Sequence, residues 1–213
     1  MIKNIVLATQ SQIKIDATKE VFKKLGVDLL LTSELEGLIS TDEHPTIELR
    51  TYSTNTDYTQ PIGHNQAKHC IAQRLREAEN ASDANTTLLL ALENFVYQDS
   101  EGKFRDSCLV GVRMKSDGFE HFFQEICHTP RREFSVLVPE CLYPTLIDAE
   151  NTGNTLQKTC GQMLREKFGE EIEFSDKDWF KEVANSEFDR KQQIVSELYN
   201  CRSLLHTAFY EAK

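Results

Sequence analysis

Three places in the chain set chemically useful side chains where an apolar run gives way to a turn or a helix. The first is Ala8-Thr9-Gln10-Ser11-Gln12, a polar turn between the apolar run Ile5-Val6-Leu7 and a stretch of helical spacing. Thr9, Gln10 and Ser11 bring hydrogen-bond donors. A helix opening at that turn directs its unpaired N–H groups and positive dipole end at the same point. Lys14, one turn into the helix, adds a point charge, so the segment reads as a cradle for phosphate. Ser11 would serve equally well as the helix N-cap, and Lys14 as ordinary surface charge. The second place is Glu93, directly after Leu88-Leu89-Leu90-Ala91-Leu92. That run has no polar alternation and is expected to be a strand covered on both faces. A carboxylate at its end sits at the edge of the core, where an unpaired charge costs on the order of several kcal/mol. It calls for an arginine, another cation or a metal, unless the strand end opens to water beside Asn94. The third is Arg190, which follows a candidate helix cap, Asp189. It points to a cleft or to solvent, and local sequence favours solvent because arginine is mostly exposed.

These side chains need elements to hold them. Ile13, Ala17, Val21, Phe22 and Leu25 recur at helical spacing, with Lys14, Lys19, Lys23 and Lys24 largely on the opposite side, and Gly26 supplies the stop. Residues 27–31 read as a second strand, so the opening is strand, helix, strand, a right-handed unit if the strands are parallel. Residues 32–61 are polar and acidic and carry little periodicity until Ile47 to Tyr52. A helix is expected over 63–78, with Ala67, Cys70, Ile71 and Leu75 on one face and Arg74, Arg76 and Glu77 outside. Residues 86–97 and 104–114 are strands about the turn Asp99-Ser100-Glu101-Gly102-Lys103, and residues 119–126 complete a three-stranded antiparallel meander. Helices are expected over 139–148 and 154–168, with one long last helix over 188–210. The reading is an α/β protein, a mixed sheet flanked by helices, with residues 1–213 as one domain.

Composition narrows the function. Hydrophobic residues make up 39% of the 213 and charged ones 27%, which fits a globular chain. With 24 basic and 34 acidic residues the formal net charge is −10, which argues against a nucleic acid polymer as partner but not against a single nucleotide in a local basic pocket. No apolar run approaches the roughly 20 residues that span a bilayer, and the opening is too short and too soon polar for a signal peptide, so no membrane association and a cytoplasmic protein are expected. Six scattered cysteines form no C-x-x-C pair and have no histidine at zinc-ligand spacing; His64, His69 and Cys70 are close in sequence but fall on different helical azimuths. Reduced core thiols are expected.

In order along the chain, Ala8-Thr9-Gln10-Ser11-Gln12-Ile13-Lys14, Gln60-Pro61-Ile62-Gly63-His64-Asn65-Gln66-Ala67, Ala91-Leu92-Glu93-Asn94 and Asp189-Arg190 resemble motifs of the inosine/xanthosine triphosphatases. In that family the segments take forms such as A-T-x-N-P-x-K, Q-P-x-G-x-E-E-T and I-E-x-G, with a Thr-Arg pair before the last helix. The resemblance covers most of the chain. It implies a two-lobed α/β fold with a long mixed central sheet and a deep cleft, often as a homodimer. It also implies Mg²⁺- or Mn²⁺-dependent hydrolysis of deaminated purine nucleoside triphosphates. Carried over, Thr9, Gln10, Ser11, Lys14 and Arg190 would hold the substrate, with Lys14 and Arg190 on phosphate oxygens. Glu93 would hold the metal or orient the attacking water, and the amide oxygen of Asn65 could join it on the metal.

The chain departs from the family pattern at identifiable positions. Asn65 and Gln66 stand where an acidic pair is usual, and Phe95 stands where a glycine would let a base or phosphate approach. The segment from Trp179 to Ser186 lacks the usual glycines. Two functions follow. One is a metal-dependent phosphatase in which acids from residues 42–57 replace the lost pair. The other is a module that keeps the cleft for binding nucleotide or protein without hydrolysis. The joint presence of Lys14, Glu93 and Arg190 favours the enzyme. Tyr52, Tyr58, Phe95 and Tyr97 are the aromatic candidates for a base pocket, though side chains of this type more often fill cores.

Overall fold

The computed structural model describes residues 4–32, 46–82, 88–114, 124–127, 132–169 and 179–210. It is a mixed α/β fold. The strands are β1 (Asn4–Leu7), β2 (Asp28–Leu31), β3 (Thr46–Thr51), β4 (Leu88–Gln98), β5 (Phe104–Met114), β6 (Gln124–Cys127) and β7 (Val136–Leu137). The helices are α1 (Gln12–Lys24), α2 (Gly63–Ala81), α3 (Tyr143–Thr152), α4 (Cys160–Phe168), α5 (Arg190–Asn200) and α6 (Arg202–Tyr210). The sheet runs β2-β3-β1-β4-β5-β6, with β7 also paired to β5. Strands β2, β3, β1 and β4 are mutually parallel, while β5 runs antiparallel to β4 and to β6 and β7.

The opening strand, helix and second strand are parallel as expected, but β3 lies between β1 and β2. It comes from the stretch that showed least pattern. Ile47 and Leu49 point into the core, while Glu48 and Arg50 pair with each other at 2.8 Å on the other face. The connection from β1 to β2 and that from β3 to β4 move in opposite directions across the sheet. Right-handed crossovers then require α1 and α2 to cover opposite faces. Val21 and Phe22 of α1 pack with Ile5, Leu7, Leu90 and the α5 residues Ile194 and Leu198. On the other face Ala67, Ile71 and Leu75 of α2 pack with Val6, Leu89 and Ala91. Gly111 allows α2 to come this close, because a Cβ there would stand 2.3 Å from Cγ2 of Ile71. The run from Leu88 to Leu92 is fully buried, as its lack of alternation requires.

The paired strands β4 and β5 are each 11 residues long and continue past this region into a further core. There Val96 and Phe104 meet Val136, Leu146, Leu164, Trp179 and Phe180. Gly26, at φ 78°, ends α1 in the left-handed conformation, and Val27 N–H donates back to the Phe22 carbonyl at 3.0 Å. The expected long last helix is two helices broken at Cys201, and helix α4 begins at Cys160 rather than at 154. The third meander strand is described only over Gln124–Cys127. Cys70, Cys108, Cys141, Cys160 and Cys201 are free thiols, and burial raises Cys70 to about 11 and Cys108 to about 12. Among the described residues no helix is long and apolar enough to cross a membrane.

The β4–β5 turn holds a titrating carboxylate. Asp99 accepts from Arg105 Nε at 2.6 Å and from the backbone of Glu101 and Lys103 at 2.9 and 3.0 Å. The Arg105 hydrogen bond is the chief cause that lowers its pKa to about 2. A depressed carboxylate contributes stability that is complete above its unfolded value of about 3.9 and is lost as pH falls through the folded value. Asp99→Asn is therefore expected to melt below wild type by a constant interval above about pH 4. That interval should close as pH falls towards 2. Thermal melts across this range check it, and an interval independent of pH would refute the assignment.

Candidate functional site

The loops that follow β1 and β3 leave the carboxyl ends of parallel strands, at the point where the crossovers diverge to the two faces. Open α/β sheets bind ligands at such points. A cleft of about 380 Å³ lies here, lined by main-chain or side-chain atoms of Thr9, Ser11, Ile13, Lys14, Thr59, Gln60, Arg74, Glu93, Asn94, Thr159, Gln162 and Arg190. It brings together residues up to 181 positions apart (Thr9 and Arg190).

Three helices present their first turns to it. Ser11 is the N-cap of α1, yet its side chain makes no capping hydrogen bond. Instead Thr9 Oγ1 accepts from Ser11 N–H at 3.1 Å, stiffening the loop. By contrast, α4 and α5 begin with capping boxes, Thr159 with Gln162 and Asp189 with Gln192. Asp189 thus caps α5 as expected. The α1 end is left for another acceptor, and the helix dipole makes a negative one favourable.

Lys14 faces the sheet, not solvent. Its Nζ donates to the Leu92 carbonyl at 2.6 Å, beside Glu93. Burial holds its pKa below the usual lysine value; the charge of Glu93 opposes that shift. Glu93 is 5% exposed, which removes the water-facing alternative. Its partner is Arg74, whose Nε donates to Glu93 Oε2 while Nη1 donates to Thr54 Oγ1. The sequence pattern puts Arg74 on the outer face of α2. It instead lies on the same stripe as Ala67, Cys70, Ile71 and Ala78, and its side chain is only 15% exposed.

Arg190, expected in solvent, is 9% exposed. Its Nη1 and Nη2 donate to the two oxygens of Asp106 at 3.0 and 3.1 Å, and its guanidinium lies 4.4 Å from the centre of the Phe180 ring. The glycine-poor segment before α5 therefore supplies the aromatic face on which this arginine rests. Asp106 is fully buried; burial raises its pKa, and Arg190 works against that. Gln193, also fully buried, donates to the carbonyls of Asp106 and Phe134 at 2.9 and 3.1 Å and accepts from Asn94 Nδ2 at 3.2 Å. The far wall is neutral: Gln60 Oε1 accepts from Cys160 N–H at the start of α4, 3.2 Å away.

Not every sequence candidate reaches the cleft. Gln10 and Asn65 are exposed and do not line it. Gln66 uses its Oε1 to accept from Ile62 N–H at 2.8 Å, capping its own helix. Phe95 is buried in the α2 core against His64 and Tyr97, so it does not obstruct the opening. Asp57, offered as a replacement acid, is exposed and paired with His69 at 2.8 Å; Asp42 lies outside the described residues. Sequence reading missed Arg74, Asp106, Gln193, Gln60, Thr159 and Gln162 as members of the site. The signal for Asp106 was a polar run, Arg105-Asp106-Ser107, leading into the apolar stretch Cys108 to Val112 of one strand.

In this lining Lys14 and Arg74 lie at Glu93, while Arg190 is paired with the buried Asp106; three cations against two carboxylates leave one positive charge in excess, so the arrangement suits an anion. Among the described residues no three His, Cys, Asp or Glu side chains gather as a metal site. One carboxylate among neutral oxygens is, however, a donor set that Mg²⁺ uses when it arrives already bound to phosphates.

The fold and cleft define a mixed α/β protein with a cation-rich cleft at the carboxyl ends of its parallel strands. No protein-family model and no curated protein matches the chain. Among solved structures it is similar to the crystal structure of protein VC0702 from Vibrio cholerae, with a TM-score of 0.58 and 14% identity over 99% of each chain. At that identity the likeness is one of fold.

Proposed function

We propose that this cleft receives the phosphates of a purine nucleoside triphosphate and that the chain hydrolyses it with Mg²⁺ or Mn²⁺, acting on the deaminated substrates inosine or xanthosine triphosphate. The supporting observation is that Lys14, Arg74, Glu93, the Asp106-paired Arg190 and the uncapped start of α1 line one cleft. Phosphoryl transfer needs positioning and charge neutralisation above all. Lys14 and Arg190 neutralise phosphate oxygens, and Thr9 and Ser11 orient them at the helix start. Glu93 binds the divalent ion or aligns the attacking water. A divalent ion held there would supply further neutralisation. The deaminated-purine preference rests on the motif resemblance.

A second reading has its own support. Asn65 is exposed and Gln66 is committed to capping, so neither replaces an acidic pair beside Glu93. On this reading the cleft binds polyphosphate without cleaving it. Phosphate and pyrophosphate release from inosine, xanthosine and the common nucleoside triphosphates, with and without Mg²⁺ or Mn²⁺, separates the two. Metal-dependent turnover favouring the deaminated purines is the expected result. Folded protein that binds these nucleotides but turns over none establishes the second reading.

A further inference from the structure

Arg74 occupies an unusual place. Its Nε donates to Glu93 Oε2, and its Nη1 donates to Thr54 Oγ1 and, at 3.5 Å, to the Thr54 carbonyl. The Thr54 hydroxyl in turn donates to the Ala8 carbonyl at 3.3 Å, at the root of the loop that carries Thr9 and Ser11. One guanidinium on α2 thereby ties the middle of β4, the segment after β3 and the loop after β1. It fixes one oxygen of Glu93 and none of its hydrogen bonds goes to Oε1. Its Nη2 donates to no described residue, although Arg74 lines the cleft.

We propose that Arg74 is the positioning residue of this cleft. Through Nε it presents Glu93 Oε1 to an incoming metal–polyphosphate, and through Thr54 it sets the distance between that carboxylate and the loop receiving the phosphates. The proposal rests on the cleft being a phosphate site. It goes beyond electrostatic attraction, because a guanidinium offers donors in a fixed fork and an ammonium does not. Arg74→Lys therefore keeps the charge but loses the fixed orientation.

The test is calorimetric titration of the full chain with inorganic tripolyphosphate, with and without Mn²⁺. The variants are Arg74→Lys, Glu93→Gln, the double variant and Thr54→Val, each first shown by thermal melting to be folded. In wild type Mn²⁺ is expected to strengthen binding. That strengthening falls about tenfold in Arg74→Lys and in Glu93→Gln, and no further in the double variant, as for residues acting as one unit. Metal-free binding stays within about threefold of wild type in Arg74→Lys, whose charge is kept. Thr54→Val shows the same selective loss to a smaller degree, and Thr54→Ser restores it. Independent, multiplying losses in the double variant, or an Arg74→Lys that matches wild type, would overturn the positioning role. Tripolyphosphate bound by wild type with no gain from Mn²⁺ overturns it too. Failure of wild type to bind tripolyphosphate under either condition is a different result, and it removes the phosphate site itself.

Discussion

Replacing Arg190 by alanine is expected to lower stability by about 3–5 kcal/mol at neutral pH, the usual consequence of removing one member of a buried ion pair. Asp106 is fully buried, and both its oxygens accept from this one guanidinium. The substitution leaves a carboxylate in the core without its cation and also empties the space beside Phe180. Asp106 then takes up a proton at a higher pH than it does beside Arg190. A carboxylate raised in the folded state costs stability as pH rises through its folded value. The deficit is therefore largest at neutral pH and shrinks as pH falls towards about 4, the unfolded carboxyl value. Urea unfolding of wild type and Arg190→Ala at several pH values measures this directly. Arg190→Lys should rescue little, because an ammonium cannot make the two parallel hydrogen bonds. Removing both partners, as Asp106→Leu with Arg190→Met, should recover much of the loss. A deficit below about 1 kcal/mol, the level of an exposed pair, would mean that the pair is open to water.

Much of this framework could be read from sequence because one physical signal dominated each element. The run from Leu88 to Leu92 has to be covered on both faces, and the turn at 99–103 has to reverse the chain between two apolar strands. Strand β3 was harder: Glu48 and Arg50 alternate with Ile47 and Leu49 in a short polar stretch, and it finds its place only by pairing with β1 and β2. The break at Cys201 carried no glycine or proline to announce it. At the cleft the same distinction holds. Lys14 and Arg190 stood out because each lies in the first turn of a helix, and Glu93 because it is a carboxylate directly after an unbroken apolar run within a strand. Arg74 was placed outside on its charge alone, although its spacing from Ala67 and Ile71 puts it on the buried stripe. Its burial follows from Glu93, a partner 19 residues away. Asp106 and Arg190 are 84 residues apart, and only the antiparallel return of β5 brings them together. A buried charge predicts that a partner exists; the topology decides which residue it is.

Glu93→Gln gives the largest expected effect on activity, a fall in turnover of about 10²–10⁴-fold under the proposed hydrolysis, the range for losing a positioned acid–base group. Glutamine preserves the shape of the side chain, and its amide oxygen can still accept from Arg74, so the fold is expected to persist. What disappears is the carboxylate charge between Lys14, Arg74 and the Leu92 carbonyl. Only Asp106 then remains against Lys14, Arg74 and Arg190, so the local positive excess grows, which weakens attraction for a divalent ion and strengthens it for a bare polyphosphate. Two measurements on one variant therefore move in opposite directions: kcat falls steeply, while metal-free tripolyphosphate binds as tightly as to wild type or more tightly. A variant that lost binding and turnover together would point to a collapsed cleft, which thermal melting would reveal. A folded variant with wild-type turnover would remove Glu93 from the chemistry. Opposite changes in kcat and anion affinity would separate a carboxylate that acts on metal or water from one that merely neutralises Arg74.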